Sequence, residues 1–356
     1  MTAVNFRNFE SLNLTFTENK TINTIIAPNG MGKSNFLESI YYFSYLRSFR
    51  SVLDKELIKK GEQFFLVECD YLSGSVKNNF KIKYRDKKEI LFNNKKVHKS
   101  SDILGNFLSV LFCNEDINII SGTPFLKRKF FDIFISIVNP KYLFYLKQFI
   151  EILKQKNFIL KNKTKIEMLS IYNKQLSEII FYIEKKRKET IEEYNRSFQS
   201  DFYTLGLFKE KVKIIYSSSF KNDNTGEEVV FKKLEENKEK EIALGYSILG
   251  PHRDSYLFLI NGVVFNKYAS LGQTRLAALV LKLIQAEFYK IKFNVVPVLL
   301  FDDVILEIDR EKQKRILKKI ESYKQLFFTF TDKEYLNLFE KKEDINLIEV
   351  EYGKIK

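Results

Sequence analysis

The chain has 356 residues, of which 45% are hydrophobic and 29% charged, so it is long enough for two domains or one large interrupted domain. It contains no run of eighteen apolar residues and carries charged residues near its N-terminus; we therefore expect no membrane segment, no secretory signal and a cytoplasmic location. The net charge of +14 favours a polyanionic partner such as nucleic acid about as strongly as it favours an ordinary lysine-rich surface.

The N-terminal part of the chain is predicted to be rich in β-structure. Residues 4–9 and 12–16 alternate well enough to pair as a hairpin, and further strands are expected between residues 64 and 92. Asn93-Asn94 suits a type I′ hairpin turn. These segments predict an antiparallel lobe attached to a nucleotide-binding core.

A phosphate-binding loop is predicted between a strand at residues 21–26 and a helix that begins near Lys33. Gly30 and Gly32 let the backbone turn sharply and point N–H groups at a phosphate, while Lys33 adds a mobile charge for the outer phosphates. The hydroxyl of Ser34 can bind Mg²⁺. The alternative is a chance Gly-x-Gly turn before a helix, because Ala27 replaces the first glycine of the pattern. The predicted nucleotide-binding residues are Ala27, Pro28, Asn29, Gly30, Met31, Gly32, Lys33 and Ser34.

A helical segment is predicted to interrupt the β-rich parts. Asn139 suits an N-cap and Pro140 a first helical position, and two amphipathic helices follow, separated by a polar turn at residues 161–165. This pattern predicts an antiparallel helical hairpin. Strand character returns at residues 212–216, followed by a loop at 221–226 and a hairpin around Asn261-Gly262.

The C-terminal third alternates between helix and strand, which favours a parallel sheet that closes against the strand before the phosphate loop. Helices are expected at residues 273–289 and 310–323, and strands at 295–301 and 325–330. The first of these strands ends in Asp302 and Asp303. In phosphate-loop ATPases, such acids hold Mg²⁺ and orient the attacking water. A buried strand that ends in a polar turn is the alternative interpretation.

A second anion site is predicted where Ser270, Gly272 and Gln273 precede a strong helix. A hydroxyl, backbone N–H groups and the helix dipole favour an anion there. Taken alone, however, a plain N-cap by Ser270 explains the same residues more simply.

The order of these elements, together with several longer motifs, resembles the RecF family of bacterial DNA-repair ATPases. The resemblance runs from about residue 3 to about residue 335 and is most specific at Gly250-Pro251-His252-Arg253-Asp254 and in residues 112–132. It implies an α/β fold: an ABC-type phosphate-loop ATPase head, with a mixed sheet and an antiparallel β lobe, interrupted by an α-helical insertion domain. The implied boundaries are 1–113 and 207–356 for the two parts of the ATPase domain and 114–206 for the insertion.

The same resemblance implies cofactors, roles and partners. ATP and Mg²⁺ would be the cofactors, with Ser34 and Asp302 at the metal, and Lys33 and Asp303 serving hydrolysis. Arg7 would approach the phosphates. Ser270, Gly272 and Gln273 would reach the γ-phosphate held by a second copy of the chain. An ATP-dependent homodimer would clamp DNA at gaps or at single-strand/double-strand junctions, and slow, DNA-stimulated hydrolysis would release it. RecO and RecR would be partners in loading a recombinase.

Two alternatives remain open at this stage. Leu271 and Leu306 replace residues usual in the family, which favours a scaffold that binds ATP but hardly hydrolyses it; another SMC- or Rad50-like ATPase is the second alternative. His252 is as plausible in a structural role as in a functional one. Candidate DNA contacts, each more simply explained as solvated surface, are Lys127, Arg128, Lys129, Lys154, Lys156, Lys185, Lys186 and Arg187.

Overall fold

The computed structural model describes residues 1–17, 21–220, 226–339 and 342–355. The chain divides into two compact units: Met1–Asp116 together with Lys282–Lys356 form the first, and Ile117–Leu281 form the second. The loop expected at residues 221–226 lies, apart from Gly226, outside the described residues. None of the described helices is long and apolar enough to cross a membrane.

The elements are numbered here in chain order. The strands are β1 (Thr2–Phe6), β2 (Phe9–Asn13), β3 (Ile22–Ile26), β4 (Phe65–Ser73), β5 (Val76–Tyr84), β6 (Lys88–Phe92), β7 (Lys95–Lys96), β8 (Ser109–Cys113), β9 (Val212–Ser217), β10 (Ser255–Ile260), β11 (Val263–Val264), β12 (Val298–Asp302), β13 (Leu326–Phe330), β14 (Ile345–Glu351) and β15 (Lys354–Ile355). The helices are α1 (Lys33–Tyr45), α2 (Ile117–Ser121), α3 (Pro124–Val138), α4 (Pro140–Asn162), α5 (Leu169–Gly206), α6 (Glu227–Glu236), α7 (Lys238–Leu244), α8 (Phe265–Tyr268), α9 (Leu271–Phe293) and α10 (Arg310–Ile320).

The first unit contains a mixed sheet with strand order β15-β14-β3-β13-β12-β8. Strands β14, β3, β13, β12 and β8 run parallel, and β15 pairs antiparallel with β14. The prediction that the C-terminal strands close against β3 is therefore confirmed. Because the carboxyl ends of parallel strands meet at one edge, the phosphate loop after β3 lies beside the acids that end β12.

A six-stranded antiparallel sheet of order β2-β1-β4-β5-β6-β7 forms the predicted β lobe. Asn93 and Asn94 have φ of 49° and 63°, as a type I′ turn requires, so the predicted hairpin is confirmed. The expected bounds of the first hairpin were wrong. Arg7 takes a left-handed φ of 53° and turns the chain there, so that Phe6 faces Phe9.

The second unit contains the predicted helical hairpin, α4 and α5. Asn139 caps α4 as expected, accepting from the Tyr142 N–H at 3.1 Å, with Pro140 as the first helical residue. The unit also includes the three-stranded antiparallel sheet β11-β10-β9. Its strands pack on the helices through stacked Phe131 and Tyr256, whose ring centroids lie 4.4 Å apart.

These contacts explain why residue 206 is not a boundary between compact units. Residues 207–281 lie in the second unit with the helices, whereas the sequence analysis assigned them to the second part of the ATPase domain. The functional division into 1–113, 114–206 and 207–356 stays a prediction.

Candidate nucleotide site

The loop between β3 and α1 has the backbone geometry of a phosphate cradle. Gly30 and Gly32 both have positive φ, at 82° and 117°. Residues other than glycine rarely adopt this backbone region. Ala27, which replaces a glycine of the usual pattern, is 2% exposed, and its N–H donates to the Phe330 carbonyl on β13 at 3.1 Å. Its methyl group therefore belongs to the core and does not intrude on the loop.

Lys33 extends back over this loop. Its ammonium donates to the Ala27 carbonyl at 2.9 Å and to Asn29 Oδ1 at 3.2 Å, and lies 3.9 Å from Asp303 Oδ2. The side chain is buried, so its charge acts where water screens it little. An ammonium held in this position can attract the outer phosphates of a nucleotide.

Ser34 and Asp302, which the sequence analysis expects at a metal, lie next to each other. The Ser34 hydroxyl donates to Asp302 Oδ1 at 2.9 Å. Burial raises the pKa of Asp302, and the charge of Asp303 acts in the same direction; the hydrogen bonds from Ser34 and Thr329 and the charge of Arg50 oppose these effects. A hydroxyl and a carboxylate are hard oxygen ligands of the kind that Mg²⁺ prefers.

The two oxygen ligands, Ser34 and Asp302, also indicate what else a bound metal would need to complete its coordination. Across the described ranges, no group of three or more His, Cys, Asp or Glu side chains could hold a metal ion. Mg²⁺ commonly takes one or two carboxylates and completes its shell with water and substrate phosphates. Ser34 and Asp302 therefore fit Mg²⁺ brought with a nucleotide better than a metal bound by protein alone.

Thr329 on β13 is a site residue that the sequence analysis missed. Its hydroxyl lies 3.1 Å from Asp302 Oδ1 and 3.0 Å from Asp303 Oδ1, and accepts from the Asp303 N–H at 2.9 Å. Asp303 has a left-handed φ of 54°. The buried hydroxyl thus holds the strained turn and separates the two carboxylates.

Asn8 and Arg50 were also missed. Asn8 Nδ2 donates to the Met31 carbonyl at 2.9 Å, and its Oδ1 accepts from Asn35 at 2.8 Å. Arg50 donates to Asn35 Oδ1 at 2.9 Å, and its charge lowers the pKa of Asp302. The only signal for Asn8 was its place next to Arg7, which the family resemblance puts near the phosphates, and nothing in the local sequence indicated Arg50.

Arg7 lies close to this site but is engaged with protein groups. Its guanidinium pairs with Glu38 of α1, with Nε 2.7 Å from Oε2, and also donates to the Glu56 carbonyl at 2.9 Å. Glu38 is buried, and the Ser48 hydroxyl also donates to it. The expected approach of Arg7 to a phosphate stays a prediction, since its hydrogen bonds here bind the β1–β2 turn to α1.

In the second unit, Ser270, Gly272 and Gln273 lie at the start of α9. Gln273 Oε1 accepts from the Ser270 N–H at 2.9 Å and the Ser270 hydroxyl accepts from the Gln273 N–H at 3.2 Å, which is a capping box. Gln273 Nε2 donates to Glu210 at 2.8 Å, so both ends of this buried amide are engaged. Ser270 and Gly272 are exposed, and so is Leu271 between them.

The Gly-Pro-His-Arg-Asp motif forms part of a buried ionic network. The guanidinium of Arg187, 1% exposed, pairs with Asp254 at 2.7 Å and Asp132 at 2.8 Å and donates to the Pro251 carbonyl. Burial, together with nearby arginines, lowers the pKa of His252 to about 4, so its ring is neutral near pH 7. The motif is thus held rigidly by neutral and paired groups.

The candidate DNA contacts differ in their exposure to solvent. Arg187 is buried in the network above and Lys156 is buried against Glu241 at 2.7 Å, so both interpretations, a DNA contact and a solvated surface residue, are wrong for these two. Lys127 is also buried, 5.3 Å above the Phe258 ring. The remaining candidates, all at least partly exposed, are Arg128, Lys129, Lys154, Lys185 and Lys186.

Comparisons with known proteins agree with this fold. A model of the RecF/RecN/SMC N terminal domain family matches residues 1–353. The DNA replication and repair protein RecF of Leptospira interrogans serovar copenhageni is 33% identical over 362 residues, covering 98% of this chain and 96% of that protein. A solved structure described as the recombination mediator protein RecF-ATP in the RecFOR pathway has a TM-score of 0.89 and 32% identity, covering 100% of this chain and 95% of the other. An SMC head structure, 15% identical with a TM-score of 0.56, shares the fold.

The fold and the phosphate loop therefore define a protein of the RecF/RecN/SMC class, with an ABC-type ATPase head. Within that class, the chain belongs to the RecF family, since a relative one third identical covers nearly its full length. Both the fold class and the family resemblance expected from the sequence are confirmed.

Proposed function

We propose that the chain is an ATP-dependent DNA-binding protein of recombinational repair and replication, with a weak ATPase activity that DNA stimulates. The observation that carries this proposal is the Ser34–Asp302 hydrogen bond of 2.9 Å beside a glycine-bearing phosphate loop. The net charge of +14 and the name of the Leptospira relative, DNA replication and repair protein RecF, support DNA as the partner.

In the proposed site, backbone N–H groups between Asn29 and Ser34 and the ammonium of Lys33 hold the phosphates of ATP, while Ala27 and Pro28 shape the start of the loop. Ser34 and Asp302 hold Mg²⁺, whose charge offsets that of the outer phosphates when it is bound. Asp303, kept in place by Thr329, orients the attacking water. Arg7 can reach a phosphate only if it breaks its ion pair with Glu38. Nucleotide binding would then be coupled to the conformation of the β1–β2 turn.

We propose that ATP also joins two copies of the chain. Ser270 and Gly272 of one copy, exposed at the positive end of α9, would contact the γ-phosphate held by the other. Gln273 would shape this turn through its capping box. It would reach the γ-phosphate itself only after breaking its hydrogen bond to Glu210. DNA at gaps or junctions would be held by the dimer and released after hydrolysis, with RecO and RecR as partners in recombinase loading.

The decisive experiment is size-exclusion chromatography with light scattering, with and without ATP and DNA, on the wild type and on Lys33→Arg. Arginine keeps the charge but is too bulky for the contacts to Ala27 and Asn29, so ATP-dependent dimerisation and DNA retention should both be lost. Lys95→Arg, on the exposed strand β7, is the matched control and should behave as wild type. If Lys33→Arg still dimerised with ATP and retained DNA, the proposed mechanism would be wrong.

A scaffold that binds ATP with negligible hydrolysis is the second candidate, because Leu271 presents an apolar side chain, 57% exposed, at the proposed contact between copies. DNA-stimulated hydrolysis by the wild type and by Asp303→Asn separates the two functions. A lower rate in Asp303→Asn supports the ATPase. Equal rates, with ATP binding intact, support the scaffold.

A further inference from the structure

The outward side of α4 carries two aromatic and three basic side chains together with one acid. We propose that this face, defined by Phe144, Lys147, Glu151, Lys154, Phe158 and Lys161 and called here the α4 face, binds single-stranded DNA. The two phenylalanine rings would stack on bases and the three lysines would contact phosphates. This inference deepens the proposed function and rests on it, since DNA is taken as the partner.

The six residues lie along one side of a single regular helix. Their spacing of three and four residues follows the helical repeat, so their side chains point the same way. All six are exposed, and the rings of Phe144 and Phe158 are 58% and 65% accessible. The opposite side of the helix is buried through Tyr142, Phe149, Lys156, Ile159 and Leu160. The exposed rings therefore contribute little to holding α4 in its unit.

The lysines of the α4 face are available for phosphates. Among the described residues, no ion pair within 4.0 Å involves Lys147, Lys154 or Lys161, whereas Lys156 on the buried side is paired with Glu241. Successive lysines are seven residues apart, which separates them by roughly 10 Å along the helix axis. Glu151 is the acid within the face, and it offsets part of this charge.

The basic character continues past the end of the helix. Lys163 and Lys165 are both exposed in the turn between α4 and α5, and both have a left-handed backbone, with φ of 51° and 52°. Lys163 ends α4 as its C-cap. The α4 face therefore leads into a cationic tip, which extends the path available to a polyanionic strand.

Single-stranded DNA is the occupant that both kinds of side chain favour. Lysines alone would suit any polyanion, but exposed rings gain most from partners with unstacked aromatic faces. Bases in a duplex are stacked on each other and cannot offer those faces to a phenylalanine. The rings lie fourteen residues apart, roughly 21 Å along the axis, a distance that a short extended strand can span while its phosphates pass the lysines.

The absence of tryptophan in the chain allows a direct test of stacking. Phe158→Trp introduces a single tryptophan, whose emission should be quenched when an oligo-dT strand is added to the full chain and should change little with a blunt duplex. Tyr203→Trp is the matched control, because Tyr203 on α5 is 52% exposed but lies outside the α4 face and away from the other candidate DNA contacts along the chain. Unquenched Phe158→Trp under conditions where the protein binds the strand would overturn the proposal.

Fluorescence anisotropy with the same oligonucleotides tests the energetics. Phe144→Ala with Phe158→Ala should weaken single-strand binding about tenfold or more and leave duplex binding unchanged, since the stacking of bases on both rings is lost. Lys147→Gln, Lys154→Gln and Lys161→Gln together should reduce the slope of log affinity against log salt by about 2, because each phosphate contact on a single strand contributes roughly 0.7. Glu151→Gln should tighten binding.

The outcomes separate this inference from the function on which it rests. If the wild type bound no DNA with or without ATP, the proposed function would fail together with the inference. If it bound both DNA forms and the double phenylalanine variant bound them equally well, the inference alone would fail. Equal loss of single-strand and duplex binding in that variant would also overturn it, because stacking cannot act on a duplex. Normal DNA binding by all α4-face variants would overturn the inference and would favour an acidic protein as the partner of this face.

Discussion

Asn8 on the β1–β2 turn donates its side-chain amide to the Met31 carbonyl of the phosphate loop at 2.9 Å. The same side chain lies so close to Gly32 that a Cβ added there would be 2.6 Å from Nδ2. Asn8 therefore supports the phosphate loop although it lies far from the loop in the sequence. This contact makes the position of Met31 and Gly32 depend on the antiparallel sheet.

Replacing Asn8 with alanine should weaken ATP binding. The change removes the bond to Met31 and the bond from Asn35, and a lost hydrogen bond of this kind costs about 1 kcal/mol, or roughly fivefold in affinity. Equilibrium titration with a fluorescent ATP analogue measures the effect. Asn13→Ala, at an exposed position on β2, should leave the affinity unchanged. Equal affinities for wild type and Asn8→Ala would show that the loop is held without this support.

Gly353, between β14 and β15, lies behind Asn8. A Cβ at Gly353 would be 2.3 Å from the Asn8 carbonyl oxygen, and its φ is 74°. Gly353→Ala should therefore lower the melting temperature and also weaken ATP binding, because the clash displaces Asn8. Gly74→Ala is the matched control, with a φ of 61° and no atom within 4 Å of the added Cβ. The Gly74→Ala variant bears only the cost of a left-handed backbone, roughly 1–2 kcal/mol, so the difference between the two variants isolates the clash. Equal losses of stability and unchanged ATP affinity in both variants would contradict this account.

The phosphate loop was predictable because the residues that give it its function are neighbours in the sequence. Gly30 and Gly32 supply the turn, and Lys33 and Ser34 the charge and hydroxyl, so strand, loop and helix could be identified in order. Asp302 and Asp303 were predictable for the same reason, as polar residues that end an apolar strand. The N-cap at Asn139 and the turn at Asn93-Asn94 also depend on local backbone geometry.

Other parts of the site depend on contacts between distant segments. Thr329 lies within the apolar run of β13, where a threonine is an ordinary strand residue, and only the pairing of β13 with β12 brings it to the acids. The first hairpin was misplaced because its turn relies on Arg7 rather than on a glycine. Arg187, by contrast, could have been recognised as buried, since it lies four residues from both Ile183 and Ile191 on the apolar side of α5.

Thr329→Val should slow ATP hydrolysis more than it weakens ATP binding. Valine preserves the shape and β-branching of the buried side chain but removes the hydroxyl that contacts both carboxylates and accepts from the Asp303 N–H. Asp303 would then be free to leave its left-handed turn, and the hydrolysis rate should fall about tenfold or more. Steady-state ATP hydrolysis and ATP titration together measure the split between rate and affinity. Thr329→Ser retains the hydroxyl and should recover most of the rate; if it were as slow as Thr329→Val, loss of packing would be the cause.

Glu184 on α5 makes the stability of the chain depend on pH. Burial raises the pKa of Glu184 to about 7, with the charge of Asp254 adding to the effect; the hydrogen bond from Ser218 and the charges of Lys188 and Arg187 oppose it. A carboxyl whose pKa is higher in the folded state binds a proton there that the unfolded state has released. The stability that Glu184 contributes should therefore fall as pH rises from about 4.5, the ordinary pKa, to about 7, and level off above, whereas the contribution of His252, whose pKa is lowered, rises with pH.

Glu184→Gln should remove this dependence. The amide resembles the protonated acid in shape and can still accept from Ser218, but it does not titrate. Between about pH 5 and about pH 8, the wild type should lose on the order of 1–3 kcal/mol of unfolding free energy relative to the variant. Urea unfolding followed by circular dichroism at both pH values measures the difference, in which the contributions of His252 and other titrating groups cancel. Parallel pH profiles for the two proteins would mean that Glu184 is ionised in the folded chain throughout this range.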